Sequence, residues 1–495
     1  MIFEQLPALI VAVPLLASVF TTMFQRGHVA WWITTLSIFS LPVMAWLMTV
    51  EVLTNGTISY AMGGWEPPIG IEYRIDAANA LVILIVSAVA AVIMPYARAS
   101  VTAEMASDQH AWFYTMYLLC VSGLIGIAAT GDAFNAFVFL EISSLSTYTM
   151  IALGQSRRSL LAAYQYLIVG TIGATFYVIG VGLLYIVTGT LNFNDMAQRL
   201  PEAGYENAIL AALAFITVGL GLKIALFPLH VWLPNAYAKA PSVATALLAA
   251  TATKVAIYLL MRVFFSIYGT SIIFEQLPVL ELMLILSITA MFAGSIVAVF
   301  ENNAKRLMAY SSVAQVGYMT LGIAMASVLG LSGSLIHLAN HAFMKGAAFL
   351  VLGAVAYRLG SVKISDMGGI GRVMPISMGC FVIAGLSLIG VPGTVGFISK
   401  YYLVLATFEK GWWWLAFLIV LSSLIAVLYV GRVVEAAWFK TPSVEMRQIG
   451  GDPPMVMLVP ILLLTLGCVV FGIDASLTSG LAETAAQSLF AGWRQ

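Results

Sequence analysis

Apolar runs of about 20 residues follow one another along nearly the whole chain, broken by short clusters of charged, polar or Pro/Gly residues. A helix needs a run of that length to cross the hydrocarbon core of a bilayer. The ten-residue alternating segments of a membrane β-barrel are absent. Breaking the runs at their polar clusters predicts about fourteen spans. They fall near 4–24, 31–53, 76–97, 112–130, 133–154, 161–188, 208–229, 242–266, 278–299, 306–328, 332–357, 375–405, 412–438 and 454–474. The longer connections are 54–75, 189–207 and 439–453, and none is polar or long enough to be a soluble domain. The expected fold is an all-α polytopic membrane protein, and any redox cofactor or nucleotide would belong to a partner chain.

Composition agrees with this reading. Of 495 residues, 61% are hydrophobic and only 9% are Asp, Glu, Lys or Arg, against roughly 25% charged in soluble domains. The three cysteines stand in separate apolar runs with no Cys-x-x-Cys, so neither an iron–sulfur cluster nor a zinc ribbon is supported. The start, MIFEQLPALIVAVPLL, lacks the basic residues of a cleaved signal peptide and reads as the first span.

Basic residues set orientation, because cytoplasmic loops carry the excess. Thirteen of the 22 lysines and arginines fall in or beside odd-numbered loops. Five fall in or beside even loops and the tails, which places both termini on the non-cytoplasmic side of a cell inner membrane. The remaining four, Lys223, Lys254, Lys345 and Lys400, lie inside predicted spans, as does Glu141 in FVFLEISSLSTYTMIALG. Intramembrane charges are costly and mark ion pathways more often than structure.

Two of these lysines sit beside helix breakers. Lys223 precedes Pro228 in GLGLKIALFPLHVWLP, and Lys400 follows Pro392 and Gly393 in GLSLIGVPGTVGFISKYYLVLA. A proline frees a backbone carbonyl, and within a membrane such breaks survive where protein or a watery cavity satisfies them. The seventh and twelfth spans are therefore expected to be broken helices lining a path. Glu141 needs a countercharge, and Lys223 is the natural donor of one. His337, His341 and Lys345 are spaced i, i+4, i+8 in SLIHLANHAFMKGAAFLVLG, one face of a helix. With His230, seven residues past Lys223, and Lys254 one turn before Tyr258, they form a sparse row suited to stepwise proton transfer. Zinc or haem ligation by the two histidines is weaker, since no carboxylate or cysteine completes a shell and both rings leave one helix. A purely structural role, with the histidines bonded to carbonyls, is the remaining reading.

The chain also echoes itself. GATFYVIG at Gly173–Gly180 resembles GAAFLVLG at Gly346–Gly353, and GLKIALFP at Gly221–Pro228 resembles GLSLIGVP at Gly385–Pro392. Both pairs fall five spans apart, and an odd-numbered unit must re-enter the membrane in the opposite sense, giving inverted repeats. Four segments are expected: a three-helix segment over 1–110, five-helix repeats over 111–270 and 271–440, and a C-terminal helix and tail over 441–495.

Glu141 in its span, GLKIALFPLHVWLPNAYAKAPSVATALLAATATK, KRLMAYSSVAQVGYMTLGI, HLANHAFMKGAAFLVLG and GVPGTVGFISKYYL together resemble the antiporter-like subunits shared by Mrp-type cation/proton antiporters and respiratory complex I. The resemblance covers roughly residues 70–440. It implies fourteen helices in two inverted five-helix repeats, broken seventh and twelfth helices, and a central hydrophilic axis. It also implies a Glu–Lys pair at Glu141 and Lys223, central stations at Lys254, His337, His341 and Lys345, and a distal site at Lys400. Lysine at 400 departs from one complex I subunit type, where glutamate is usual, and the short end after the fourteenth span lacks a long lateral helix. A protein similar to the D component of Mrp antiporters, or to the smallest of the three complex I relatives, is what these departures leave; NHAFMKGAAFLVLG and ATATKVAIYLLMR favour the Mrp side.

The expected function is proton translocation within a multi-subunit sodium/proton antiporter, with other membrane subunits and the bilayer as partners. The chief rival is a proton-pumping subunit of an NADH- or hydrogen-oxidising complex; a non-conducting scaffold is a third class. No cofactor, metal or nucleic acid is expected, and the chain carries no nucleophile constellation or phosphate loop of an isolated enzyme.

Overall fold

The computed structural model describes residues 3–154, 156–204, 206–442 and 450–491. Arg447 and Arg494, two of the residues counted for orientation, lie outside the described residues. The chain opens with α1 (Leu6–Met23) and α2 (Gly27–Asn55), then a hairpin of β1 (Ile58–Ala61) and β2 (Glu72–Ile75). There follow α3 (Ala77–Glu104), α4 (His110–Ala129), α5 (Ala133–Ala152), α6 (Arg157–Thr188), α7 (Phe193–Arg199), α8 (Glu206–Ile224), α9 (Trp232–Lys239), α10 (Ser242–Ala250) and α11 (Ala252–Met261). The second half runs α12 (Val279–Phe300), α13 (Ala304–Ala324), α14 (Val328–Leu359), α15 (Ile370–Val373), α16 (Pro375–Ile389), α17 (Val395–Glu409), α18 (Trp413–Val434), α19 (Met455–Ile473) and α20 (Ser476–Ala491).

Among the described residues, eleven helices are long and apolar enough to cross a membrane. The other expected spans are α5 and α13, whose polar faces lower their hydropathy, and the α16–α17 pair, divided by a break. The protein is thus a mostly helical, multi-pass membrane protein, with one departure from all-α. The 54–75 connection folds into an antiparallel hairpin pairing Ile58 with Ile75 and Ala61 with Glu72.

Helices α10, α11, α13 and α14 are buried almost throughout, while α2, α6, α12 and α18 show large apolar side chains outward. That distribution is inverted from a soluble protein, and it puts the ionisable residues on the inner helices. Close approach is built from small residues: a Cβ on Gly219 of α8 would strike the Gly173 carbonyl and Tyr177 backbone of α6.

Two halves share one plan. Helices α6 and α14 are both 32 residues long, and each ends on a left-handed glycine, Gly189 and Gly360. In each half, the N-cap of the preceding helix makes an isolated bridge to the segment that follows, Asp132 with Asn192 and Asn303 with Lys363. The string echo is not in this register. Gly180 lies nine residues before Gly189, whereas Gly353 lies seven before Gly360.

The predicted seventh span is two pieces. Helix α8 stops at Ile224, Ala225 takes a left-handed conformation (φ 60°), and α9 begins at Trp232. The predicted twelfth breaks between Ile389 and Val395, with Gly390 and Gly393 both at positive φ around Pro392. The eighth span is broken too, at Thr251 between α10 and α11, where neither proline nor glycine stands. The segment after the last predicted span is also helical: α20 buries Leu481, Ala482, Ala485 and Leu489 and packs on α3 and α14. Its small, mixed residues carry no span signature, so composition alone passes over it.

Candidate functional site

Helix α5 presents a polar face inward, with Ser143, Ser144 and Thr147 buried. Lys223, near the end of α8, reaches this face. Its Nζ donates to Ser144 Oγ at 2.6 Å and lies 3.5 Å from Glu141 Oε1. The pair is asymmetric: the Lys223 side chain is 5% exposed and that of Glu141 is 23%. Glu141 stands at the flank of the molecule, beside the outward Val138 and Leu145. A cavity of about 20 Å³, room for roughly one water molecule, is bounded by Ser144, Thr147, Tyr166 and Lys223 and reaches Ala252 and Ala256 of α11. Across the α8 break, Trp232 Nε1 donates to the Leu222 carbonyl at 2.8 Å. His230 is half-buried in this break, stacked on Phe227 at 5.1 Å and edge-on to Tyr310. It therefore faces α13 rather than joining Lys223.

At the centre, Lys254, His337, His341 and Lys345 are fully buried. The kink at Thr251 exposes carbonyls of α10, and Lys254 Nζ donates to that of Ala249 as well as to Thr253 Oγ1 at 3.3 Å. Lys345 donates to the Met308 carbonyl at 2.8 Å and to Ser311 Oγ. His337 bridges two elements, Nδ1 to Ser399 Oγ at 2.8 Å and Nε2 to Gln315 Oε1 at 2.9 Å. The His341 ring lies 6.0 Å from that of His337, and neither of its nitrogens has a hydrogen-bond partner among the described residues.

The distal lysine closes the row. Lys400 Nζ donates across the α16–α17 break to the Leu388 and Ile389 carbonyls at 2.9 and 3.0 Å, and to Ser423 Oγ at 2.8 Å. It sits 4.7 Å above the Tyr318 ring, which is also 5.6 Å from that of His337. A cation at the end of a half-helix satisfies its last carbonyls and complements its dipole. The break needs Gly396, because a Cβ there would fall on the Ser387 carbonyl oxygen.

Three predicted residues thus meet one face of α13, two through hydrogen bonds and Lys400 through a ring. Met308 and Ser311 hold Lys345, Gln315 holds His337, and Tyr318 lies under Lys400. The row is not one continuous hydrogen-bonded chain. Among the described residues no direct hydrogen bond joins Lys223 to Lys254, Lys254 to Lys345, His341 to its neighbours, or His337 to Lys400. Sequence reasoning passed over Ser144, Gln315, Ser399 and Ser423. For Ser311, Gln315 and Tyr318 the signal was available as a polar stripe at i, i+4, i+7 on α13. Arg262 and Lys305, which enter the sequence analysis only through the count of basic residues, are both buried. Lys305 donates to Ser242 Oγ at 2.8 Å, and Arg262 pairs with Asp76.

The NADH:quinone oxidoreductase/Mrp antiporter transmembrane family model matches residues 130–426, which contain every one of these stations. The chain is 41% identical over 486 residues to an NADH-quinone oxidoreductase subunit N of Desulforudis audaxviator, covering 94% of this chain and 95% of that one. It is 30% identical over 399 residues to the D subunit of a Na(+)/H(+) antiporter of Alkalihalophilus pseudofirmus, covering 80% of each. Its fold overlays a chain of the Mrp complex from Dietzia sp. DQ12-45-1b with a TM-score of 0.90 at 25% identity, over 99% of this chain and 98% of that one. The broken helices, the buried lysines and these likenesses have one account: the chain belongs to the antiporter-like membrane subunits shared by NADH:quinone oxidoreductases and Mrp antiporters.

Proposed function

We propose that this chain translocates protons along the row Lys254, Lys345, His341, His337 and Lys400, driven by opening and closing of the Glu141–Lys223 pair. The observation that carries it is a partly exposed carboxylate matched to a buried lysine at the mouth of a helix break. When Lys223 moves from Glu141, the carboxylate loses its countercharge and takes a proton; when Lys223 returns, that proton is displaced. Pro228, Pro392 and Gly393 keep the breaks open, and His230 lines the first of them. The row ends at Lys400, whose neutral partners let it lose a proton without stranding an anion.

As to the assembly, we propose an Mrp-type sodium/proton antiporter, a reading supported by the likeness to the Dietzia complex and by the motifs around Lys254 and Lys345. The second reading, a redox-driven proton pump, is favoured by the 41% identity to an NADH-quinone oxidoreductase subunit. Purification of the intact complex separates them: small membrane subunits and sodium-dependent exchange mark the first, and flavin and iron–sulfur subunits the second. In either, Glu141→Ala is expected to abolish proton movement in everted vesicles while the complex still assembles. Unchanged proton movement would overturn the proposal.

A further inference from the structure

The face of α11 that carries Lys254 continues past Met261 into a π-helical segment, Arg262–Tyr268. Lys254, Tyr258, Arg262 and Ser266 recur every four residues and so line one stripe running toward the end of the molecule that bears the β-hairpin. Eight residues separate Lys254 from Arg262, roughly 12 Å along a helix axis. All four side chains are buried. Tyr258 Oη donates to the Ala128 carbonyl at 3.3 Å and accepts from Arg262 Nε at 2.8 Å. Arg262 Nη1 donates to Ser266 Oγ at 3.2 Å, and Nη2 meets Asp76 Oδ1. Asp76 itself caps α3, accepting from the Ala78 backbone N–H at 2.9 Å.

Without Arg262, this stripe would be a wire. A lysine, a phenol and a carboxylate at the helix end are all able to pass a proton, and they lead from the centre of the row straight to the hairpin face. A proton leaving that way would bypass His341, His337 and Lys400. Arginine is the one basic side chain that breaks such a wire, since it has five donors, no acceptor and no accessible neutral form. Its donors are turned onto Tyr258 and Asp76, the two groups that flank it on this route.

We propose that Arg262, held by Asp76 and Tyr258, is an insulator that closes the hairpin end of the channel at Lys254 and obliges protons to travel on to Lys400. The inference rests on the proton row proposed above. Its test is therefore passive: proton entry into vesicles carrying the whole complex, followed with a pH-sensitive dye under an imposed potassium diffusion potential, with no sodium or redox substrate. Arg262→Lys keeps the ion pair but installs a group able to release its proton, so a several-fold rise in passive proton entry is expected. Adding Tyr258→Phe to that variant removes the hydroxyl link and should restore tightness. Asp76→Asn, which breaks the same ion pair but leaves the arginine, should not leak. An assembled Arg262→Lys complex as tight as wild type overturns the inference, as does a leak that survives Tyr258→Phe or appears equally in Asp76→Asn. Failure of the insulator alone leaves Glu141→Ala inactive, whereas failure of the row leaves Glu141→Ala active, so the two are told apart.

Discussion

A buried lysine can hand on its proton only if the groups around it tolerate the neutral amine, and here Lys223 and Lys400 differ. Lys223 faces a carboxylate and one hydroxyl, whereas Lys400 donates to two carbonyls and a hydroxyl. Lys400→Met should therefore lower complex stability by about 1–3 kcal/mol through the orphaned carbonyls, and should stop proton movement. Lys400→Arg keeps charge and donors but cannot deprotonate; it is expected to retain thermal stability and still fail to translocate. Calorimetry paired with vesicle assays checks both, and an active arginine variant would remove proton release at 400 from the scheme. The intramembrane lysines and Glu141 were legible in the sequence because a charge in an apolar run is rare. Ser399, Ser423 and Gln315 were not. A serine or threonine in an apolar helix often bonds its own preceding turn, as Ser146 does with Ile142 and Thr149 with Leu145, and nothing local distinguishes those that reach across.

Breaks are the next scale, and the three differ in what holds their free carbonyls. Lys254 and Lys400 cap the second and third, while Trp232 serves the first and leaves Lys223 to turn toward Glu141. Capping by a titratable amine makes the cap depend on the proton: a neutral amine would hold the freed carbonyls less strongly than the ammonium does. Ala225 carries the strain of the first break, since a non-glycine residue at φ 60° is unfavourable by about 1–2 kcal/mol. Ala225→Gly is expected to raise the melting temperature of the complex, in the direction of about 1 kcal/mol, with proton movement retained. A lower melting temperature would show that packing of the alanine methyl outweighs the strain. Two breaks could be read from proline, whereas the Thr251 break has no sequence marker because tertiary contacts and the lysine cap maintain it.

The whole molecule places its ionisable chain inside a sheath of lipid- or partner-facing apolar helices, and its two ends are finished differently, one with the hairpin and one with the basic loops. The bias of lysine and arginine predicts that the hairpin end is non-cytoplasmic. Cys120, Cys380 and Cys468 are buried, so introduced thiols should report against a quiet background. Ile69→Cys, in the exposed hairpin loop, should react with an impermeant thiol reagent from the non-cytoplasmic side, and Ser365→Cys only from the cytoplasm. Reversed labelling would invert the orientation. Fold class and the eleven long apolar helices followed from apolar run length; the hairpin and α20 did not, because short strands and small-residue helices lack a periodic signal strong enough to stand out.

Helix α13 meets Lys345, His337 and Lys400 along one edge, and its first turn is tethered where Arg306 Nε lies 3.0 Å from Glu301. On the proton row proposed above, α13 has the layout of a camshaft: a small roll of this one rod would shift the partners of all three groups together. A partner that gripped either end of that rod would then reach all three groups at once without touching an ion.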